Sequence, residues 1–415
     1  RRVDALMRPG ELPGTTQVDY HVAESKPWSV YAQVANNGTE ATEDWRQRFG
    51  FTHNQLTGRD DILRLDYVTS AFDDLHGVWG AYSAPVRALP RVRWTALGSF
   101  SEYDASEVGL SRLDLEGDQW EAGGRVHVNV FQRRELFIDL VAGARWRNVG
   151  IDSGFRIAGL RSSSGADSDF FLPEVGFELR RDTFVSSTAL EVLFDTNLSS
   201  IAGTDTDDLR ALGTLAADKS FSRVRWNGAV SIYLEPALRR RQFLDPDTIE
   251  SSRLGHELVI GTRGIVSLGD RLVPQFQQVA GGITSVRGYD QSISAGDQVV
   301  IGSAEYRIHL PRLLMPGEPT PPLPGVGRFK LRPEHVYGQP DWDFIVKAFA
   351  DAARVVTEDR FDFEVNDTLV GLGVGAELHL RKYFQARFEV AWPQERLEGR
   401  EIDSPELHAL FTLMY

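Results

Sequence analysis

The sequence has no cysteine and no long apolar run, and both absences exclude classes of protein. Without cysteine there is no disulfide, no thiolate nucleophile and no cysteine-based zinc or iron–sulfur site. A transmembrane helix needs about 20 consecutive, mostly apolar residues, and none of the 415 residues lies in such a run. Positive charge is also scarce, since 45 Lys and Arg face 59 Asp and Glu for a net charge of −14. That balance argues against nucleic acid as a partner.

Catalytic and ligand-binding motifs are missing too. There is no G-x-S-x-G elbow, no P-loop and no H-E-x-x-H. The acidic residues Asp205, Asp207 and Asp208 lack the rest of a calcium-binding pattern, so we expect a solvated loop. The nine histidines are scattered without ligand spacing. We therefore expect no enzyme, no metal and no cofactor.

The chain begins at Arg1 without the basic and apolar stretches of a signal peptide. We therefore expect a mature form or a fragment, with anything upstream outside the sequence.

Alternation of polar and apolar residues is the dominant positive signal. In 370–381, apolar side chains occupy one face, and the other carries Glu377, His379, Arg381 and several glycines. Strands in soluble sheets average about 5–6 residues, whereas these alternating segments run to ~10–12 and have opposite charges on the polar face. This pattern is expected where lipid lies outside and a wet lumen inside. The 38 Gly and 43 aromatic residues suit such strands, tight turns and interfacial belts.

Turn signals divide the chain into about 16 strands, an even number as single-chain bacterial barrels require. The fold class that we predict is all-β, a transmembrane antiparallel β-barrel of about 16 strands. Short connections alternate with long ones, and we expect the long ones to be extracellular loops. The predicted loops are 104–117, 151–169, 198–219, 269–296 and 356–365. Two connections expected on the periplasmic side, 236–255 and 312–341, are unusually long.

The most distinctive segment is Val286-Arg287-Gly288-Tyr289, in the loop 269–296 between two alternating strands. A simple surface turn explains an Arg at this position poorly. The segment resembles the VRGY motif in the sixth extracellular loop of polypeptide-transporting β-barrels, which include BamA-type assembly factors, TamA and the TpsB transporters. From Lys26-Pro27-Trp28 to 60–65, the order of short segments is most similar to TpsB chains of the ShlB/FhaC/HecB haemolysin secretion/activation family.

The resemblance implies that this long sixth loop folds into the lumen, where Arg287 meets an acidic side chain of the inner wall. The candidate partner is Asp351, in the segment 347–353, which resembles the F-x-D-x-G strand motif of the family. Ala353 stands where the family has Gly. The alternation agrees with this assignment because Phe349 and Asp351 share a face. Arg suits the role, since its planar guanidinium binds a carboxylate through two hydrogen bonds.

The two ends of the chain resemble the family as well. Residues 1–27 are similar to the last hairpin of a periplasmic POTRA domain. This interpretation assigns residues 28–415 to the barrel. The face formed by Phe411, Leu413 and Tyr415 resembles the signal that the barrel assembly machinery recognises. A last strand must also pair with the first if the barrel is to have no open edge.

The resemblance implies a cofactor- and ATP-independent polypeptide transporter of the bacterial outer membrane, which secretes a partner exoprotein. Upstream POTRA domains would capture the unfolded client by strand addition. The alternative within the class is a factor that inserts other outer-membrane proteins. Two other classes are a passive porin, which has no need of the loop motif, and a barrel enzyme, whose Ser/His or Asp/His cluster we do not find. Expected partners are an unfolded polypeptide client, outer-membrane lipid and the barrel assembly machinery, with no nucleic acid.

Overall fold

The computed structural model of the protein consists mainly of strands, with a few short helices. It describes residues 2–10, 12, 14–23, 26–39, 42–73, 75–108, 113–157, 160–213, 216–245, 253–319, 321–322, 327–334, 338–362, 364–400, 402 and 404–415.

Two strands at the start of the chain form a sheet of their own. They are β1 (Arg2–Pro9) and β2 (Thr16–Ala23), which pair antiparallel over eight positions. This hairpin is separate from the barrel, whose first strand begins at Trp28.

Sixteen further strands form one closed antiparallel barrel, in which the last strand pairs with the first. The predicted fold class is confirmed. Two more strands, β14 and β15, pair only with each other, in the connection between β13 and β16. The strands are β3 (Trp28–Ala35), β4 (Arg46–Asn54), β5 (Ile62–Ser70), β6 (Leu75–Val86), β7 (Leu89–Val108), β8 (Leu113–Arg133), β9 (Leu136–Ile157), β10 (Leu160–Asp182), β11 (Ser186–Thr196), β12 (Ser222–Tyr233), β13 (His256–Ser267), β14 (Gln278–Ala280), β15 (Ser294–Gly296), β16 (Gln298–His309), β17 (Trp342–Val356), β18 (Asp367–Leu380), β19 (Phe384–Pro393) and β20 (Glu406–Met414).

The barrel closes where β20 meets β3. Pairing at this seam covers the five positions 410–414 of β20 and 31–35 of β3. The backbone of Tyr415 extends the ladder by two hydrogen bonds with Val30, at 2.9 and 3.0 Å. Closure matters because an open edge would leave backbone N–H and C=O groups without partners in lipid.

Strand β17 shows how the alternating sequence builds the wall. From Ile345 to Val355 every second side chain is buried, and those between them are exposed. Outward-facing Val346 is 41% exposed and belongs to a surface rich in large apolar side chains. Inward-facing Asp351 is 1% exposed. Apolar side chains outside and polar ones inside are the arrangement of a barrel in a membrane.

The inner face changes character along the barrel. Its middle carries charged side chains such as Asp351 and Glu305. Farther from the chain termini, Val299, Ile301 and Val355 also point inward, and they are 0–3% exposed. They join buried side chains of the connecting loops in a hydrophobic core inside the mouth of the barrel. The alternating sequence had placed the apolar face of β16 only on its outer side, so this core was not predicted.

Two predicted loops are largely strand. β7 continues to Val108 and β8 begins at Leu113, so most of 104–117 is a paired extension of the wall. In the same way β9 runs to Ile157 and β10 starts at Leu160, inside the predicted loop 151–169. Beyond the lipid these four strands keep their backbone hydrogen bonds with one another, but no lipid then selects an apolar outer face. The loss of apolar alternation therefore did not mark the ends of these strands.

The connections at the two ends of the barrel differ. Most turns at the end that carries both Trp28 and Tyr415 are short, but the β12–β13 and β16–β17 connections are long. Buried Glu235 fixes the β12–β13 connection, because its Oε1 accepts hydrogen bonds from the backbone of Gly255 (2.7 Å) and His256 (2.8 Å).

The short helices lie in the connections between strands. The β12–β13 and β16–β17 connections contain α3, α4 and a 3₁₀ turn, and those at the opposite end contain α1, α2 and another 3₁₀ turn. The bounds are α1 (Ser199–Ala202), α2 (Thr206–Ala211), α3 (Glu235–Leu238), α4 (Arg240–Leu244), and 3₁₀ turns at Pro274–Phe276 and Leu310–Leu313.

None of the helices in the described segments is long and apolar enough to cross a membrane.

Candidate functional site: a clamp between the sixth loop and the inner wall

The connection between β13 and β16, which we call the sixth loop (268–297), lies largely buried against the inside of the barrel. Its tip is shaped by Gly281 and Gly282, whose φ angles of 111° and 88° favour glycine. Ser285 closes the turn, since its hydroxyl donates to the carbonyl of Gly281 and accepts from the N–H of the same residue, both at 2.7 Å. This turn presents the segment 286–289 to the wall formed by β16–β19.

Arg287 and Asp351 lie in direct contact. The guanidinium donates Nε to Oδ2 of Asp351 at 2.7 Å and Nη2 to Oδ1 at 2.8 Å. The backbone N–H of Arg287 adds a third hydrogen bond to Oδ2, at 3.1 Å. Ser303 on β16 donates to Oδ1 at 2.7 Å. A fork-to-fork pair with these extra donors fixes both position and orientation.

Two further carboxylates share the guanidinium of Arg287. Its Nη1 donates to Glu389 at 2.9 Å and also to Glu305. Lys347 lies 2.5 Å from Glu389 and contacts Glu377. Arg307 and Arg387 complete the set through Glu305 and Glu389. The part of the network nearest to Arg287 therefore contains four cations and four carboxylates, and Arg307 continues the network to Glu257. The eight residues are Arg287, Lys347, Arg307 and Arg387 with Asp351, Glu305, Glu377 and Glu389.

The equal numbers of positive and negative side chains nearest to Arg287 allow its charge and that of Asp351 to be buried. The side chain of Arg287 is 3% exposed and that of Asp351 is 0% exposed. Burial by itself lowers the pKa of Arg287, but hydrogen bonds and charge from Asp351, with the charges of Glu389 and Glu305, outweigh burial and raise the pKa above its usual range. The cation is therefore permanent, and removing one of its carboxylates would leave a buried charge without full compensation.

The residues on either side of Arg287 pack as closely as the arginine itself. Tyr289 is fully buried, and its hydroxyl bonds to the backbone of Val370 (3.1 Å) and of Glu395 (2.9 Å to the carbonyl). Gly288, with a φ of 95°, lies so near β19 that a Cβ would be 2.9 Å from the carbonyl carbon of Trp392. Val286 is fully buried in the hydrophobic core. All four residues of the motif therefore contact the wall or its core.

Sequence reasoning missed several partners of this motif. The guanidinium carbon of Arg287 lies 3.4 Å from the ring centroid of Phe349, a cation–π contact. On β18, Gly371 allows the closest approach, because a Cβ there would lie 1.9 Å from the carbonyl oxygen of Arg287. Ala353, where the family has Gly, is buried in the hydrophobic core. The signal for Gly371 was present in the row of glycines along 371–375, but nothing local indicated its partner.

The base of the sixth loop has its own polar fixings, which also were not predicted. Asp297 accepts hydrogen bonds from the N–H of Leu272 (3.0 Å), from Gln277 (2.9 Å) and from the N–H of Glu358 (2.9 Å). Burial raises the pKa of this carboxyl despite those donors. Arg271 pairs with Glu364 at 2.9 Å, which joins the loop to its neighbour 357–366.

Phe411, Leu413 and Tyr415 lie on the outer surface next to the seam. Leu413 is 61% and Tyr415 is 65% exposed, and Phe411 packs edge-on against Phe388 with ring centroids 5.2 Å apart. The ammonium of Lys26 is 3.5 Å from the ring centroid of Tyr415 and 3.3 Å from that of Trp28. The three aromatic and apolar side chains thus face the lipid.

The acidic residues 205, 207 and 208 lie at the start of helix α2 and are not arranged as the ligands of a metal ion. Asp205 caps helix α2 by accepting from the N–H of Thr206 at 2.5 Å, and Asp207 pairs with Arg210 at 3.1 Å. Within the described segments, no group of three or more His, Asp or Glu side chains could hold a metal ion.

A closed barrel of 16 antiparallel strands, apolar outside and charged inside, is the architecture of bacterial outer-membrane proteins. The protein is therefore a β-barrel of the bacterial outer membrane.

Comparison with known proteins narrows the class. Residues 14–149 match the family described as haemolysin secretion/activation protein ShlB/FhaC/HecB. The outer membrane transporter CdiB-2 of Burkholderia pseudomallei (strain 1026b) is 31% identical over 111 residues, which are 25% of this chain and 18% of that protein. The resemblance to TpsB-type barrels that the motifs indicated is confirmed.

Solved structures share the fold. CdiB from Escherichia coli has a TM-score of 0.74 at 13% identity, over 100% of this chain and 68% of that chain. BamA from Haemophilus ducreyi, in a structure lacking POTRA domains 1–3, has a TM-score of 0.57 at 14% identity, over 100% and 75%. At such identities the likeness concerns the fold alone.

Proposed function

We propose that the protein is an outer-membrane transporter that secretes a partner exoprotein by two-partner secretion. The main support is the buried guanidinium of Arg287, whose three carboxylate partners tie the sixth loop to the inner wall. A porin for small solutes has no need to fill its lumen with a loop fixed by three carboxylates. The family that residues 14–149 match is described as a secretion/activation protein, and the relative CdiB-2 is named as an outer membrane transporter.

In this proposal the barrel works without ATP, metal or cofactor, and its other partners are outer-membrane lipid and the barrel assembly machinery. The hairpin of β1 and β2 is the end of a POTRA domain (1–27), which leads into the barrel (28–415). The barrel end that carries Trp28 and Tyr415 then faces the periplasm. A client captured upstream in extended form enters from that side and passes the sixth loop on its way out.

A second candidate is the insertion of other outer-membrane proteins. Two observations favour it: the fold is shared with BamA, and the β20–β3 seam pairs over only five positions. Both roles use an unfolded polypeptide as client, so the two proposals differ in where the client is released.

The deciding experiment is a double-mutant cycle in which the export of a co-expressed candidate exoprotein is measured. We expect Arg287→Ala to abolish most secretion while the barrel still assembles, because the wall pairs remain intact. Asp351→Ala should have a similar effect, and the double variant should lose less than the sum of the two. Full secretion by Arg287→Ala would contradict the proposal. Intact secretion with poor assembly of other barrels would favour the second candidate.

We also propose that Phe411, Leu413 and Tyr415 form the face that the barrel assembly machinery recognises. All three lie on the lipid side of the seam strand β20 or directly after it. Tyr415→Ala should lower the amount of heat-modifiable barrel without lowering synthesis. Phe184→Ala, at a turn where the ring is 62% exposed, is the matched control. Equal amounts of folded barrel in both variants would count against the signal.

A further inference from the structure

The sixth loop touches the barrel at a second place, far along the chain from the motif that contains Arg287. Phe276 ends the 3₁₀ turn Pro274–Phe276, just before β14. Its side chain is 2% exposed and faces the part of the wall formed by β9, β10 and β12. An aromatic ring that is buried this deeply, in a loop inside a wet lumen, needs partners that replace water.

Two arginines and two aromatic rings supply those partners. The guanidinium carbons of Arg147 on β9 and Arg223 on β12 each lie 4.9 Å from the ring centroid of Phe276. Phe170 meets the ring edge-on at 4.6 Å, and Phe221 lies 5.0 Å away. Cation–π contacts gain strength when they are desolvated. Edge-to-face aromatic pairs add to the burial of apolar area.

The backbone at this point is held as well. Nη1 of Arg223 donates to the carbonyl of Phe276 at 2.9 Å, and Nη1 of Arg147 donates to the carbonyl of Gln275 at 3.4 Å. Both arginines are fixed from behind, because Arg223 pairs with Asp195 at 2.6 Å and Arg147 with Glu121 at 2.9 Å. Because these salt bridges fix the positions of the two arginines, the arginines also fix the position and orientation of the loop at Phe276.

The partners of Phe276 and the partners of Arg287 share no residue among the contacts described above. Phe276 is held by β9, β10 and β12, whereas Arg287 is held by β16, β17 and β19. Between the two points, β14 pairs with β15 and so joins the two halves of the loop. The polar contacts are therefore arranged as two separate attachments with a short sheet between them, while the side chains of Phe276 and Val286 belong to one hydrophobic core.

We propose that Phe276 is a second anchor of the sixth loop, independent of the Arg287 clamp. The loop is then tied to the barrel on both sides of its tip, and either end can be released while the other holds. The anchor itself is a property of the barrel and does not depend on the identity of any client.

The absence of native cysteine permits a direct test with single-cysteine proteins. Ala280→Cys reports on the Phe276 end and Val286→Cys on the Arg287 end, since both residues are fully buried. Each is combined with Phe276→Ala in the full chain, and the rate of labelling by a soluble maleimide is measured in detergent micelles. We expect labelling at 280 to accelerate at least about tenfold, equivalent to about 1.4 kcal/mol of lost anchoring. Labelling at 286 should stay unchanged.

Phe184→Ala is the matched control, and it should change neither rate. If Phe276→Ala does not fold, Phe276→Leu replaces it, because leucine keeps an apolar side chain and removes the ring. Labelling at 280 should then accelerate by less than the roughly tenfold increase expected for Phe276→Ala. An unchanged rate at 280 in both variants would overturn the proposal. Equal acceleration at 280 and 286 would also overturn it, because the loop would then be held as one unit. No client is present, so the result is separate from the outcome of the secretion experiment.

Discussion

The inner surface of the barrel has two unlike regions. The loop-bearing wall, β9–β13 and β16–β19, supports the sixth loop and its core. Strands β5–β8 of the open wall, β3–β8, form most of the lining of a cavity of about 590 Å³ near the barrel end that carries the chain termini, and the inner faces of β9 and β10 complete it. Arginines including Arg64, Arg93 and Arg125 line that cavity. The same alternating strands thus produce a packed interior on one side and a solvated one on the other.

Ion pairs on the two walls differ accordingly. Arg287 and Asp351 are 3% and 0% exposed, whereas Arg48 and Asp66 on the open wall are 47% and 16% exposed. A buried pair costs several kcal/mol if one partner is removed, whereas an exposed pair contributes little. Whether an ion pair in this lumen matters for stability therefore depends on the loop that covers it.

Removal of one carboxylate from each wall should show this difference most strongly. Asp351→Asn leaves Arg287 buried with less compensation, and we expect a loss of about 3 kcal/mol or more in the free energy of unfolding. Asp66→Asn, which weakens the pairing with Arg48 at 3.1 Å, should cost under about 1 kcal/mol. Denaturant unfolding in micelles measures both values. Equal losses would mean that loop coverage does not control the strength of these pairs.

Glycines give a finer comparison, of the clamp with a turn beside the open wall. Gly288 and Gly58 both have left-handed φ angles, 95° and 72°. Only Gly288 has backbone atoms within 3 Å of an added Cβ, while Gly58 has nothing within 4 Å. Gly58→Ala should cost about 1–2 kcal/mol from the left-handed conformation alone.

Gly288→Ala should cost more than Gly58→Ala, because β19 must also move. It should also increase proteolysis of the sixth loop, which limited digestion would reveal. Similar stability in the two alanine variants would show that the contact with β19 yields easily.

The smallest effect is expected at the turn before β5 of the open wall. Asp61 is buried, which opposes ionisation, but the N–H groups of Thr57 and Arg59 and the Thr57 hydroxyl donate to its carboxylate and lower its pKa to about 2. This pKa is below the value of 3.8 in the unfolded chain. The ionised carboxylate of Asp61 therefore stabilises the fold fully above pH 3.8, and this stabilisation is lost as the pH falls through about 2. The amide signals of Thr57 and Arg59 should titrate with this midpoint in NMR spectra. Asp61→Asn should abolish the titration.

Much of the wall was predictable because its determinants are local. A strand in a membrane barrel alternates between two solvents, so the side-chain pattern of 342–355 or 383–393 carries its own orientation. The motif 286–289 and the strand parity of Asp351 directed attention to the pair that lies in contact. Where the wall extends beyond the lipid, as in β7 to β10, one of the two solvents changes to water and the pattern no longer marks the strand.

The sequence by itself determined the strand periodicity, the even number of strands and the inward face of Asp351, since each depends on neighbouring residues and on lipid as the outer solvent. Only the tertiary structure decided that Arg287 is shared by three carboxylates, that Gly371 leaves room for its backbone, and that Phe276 lies between Arg147 and Arg223. These contacts join residues 18 to 129 positions apart in the chain. They exist because closure of the barrel brings distant strands around one loop, and no local pattern records which strands will face each other across the lumen.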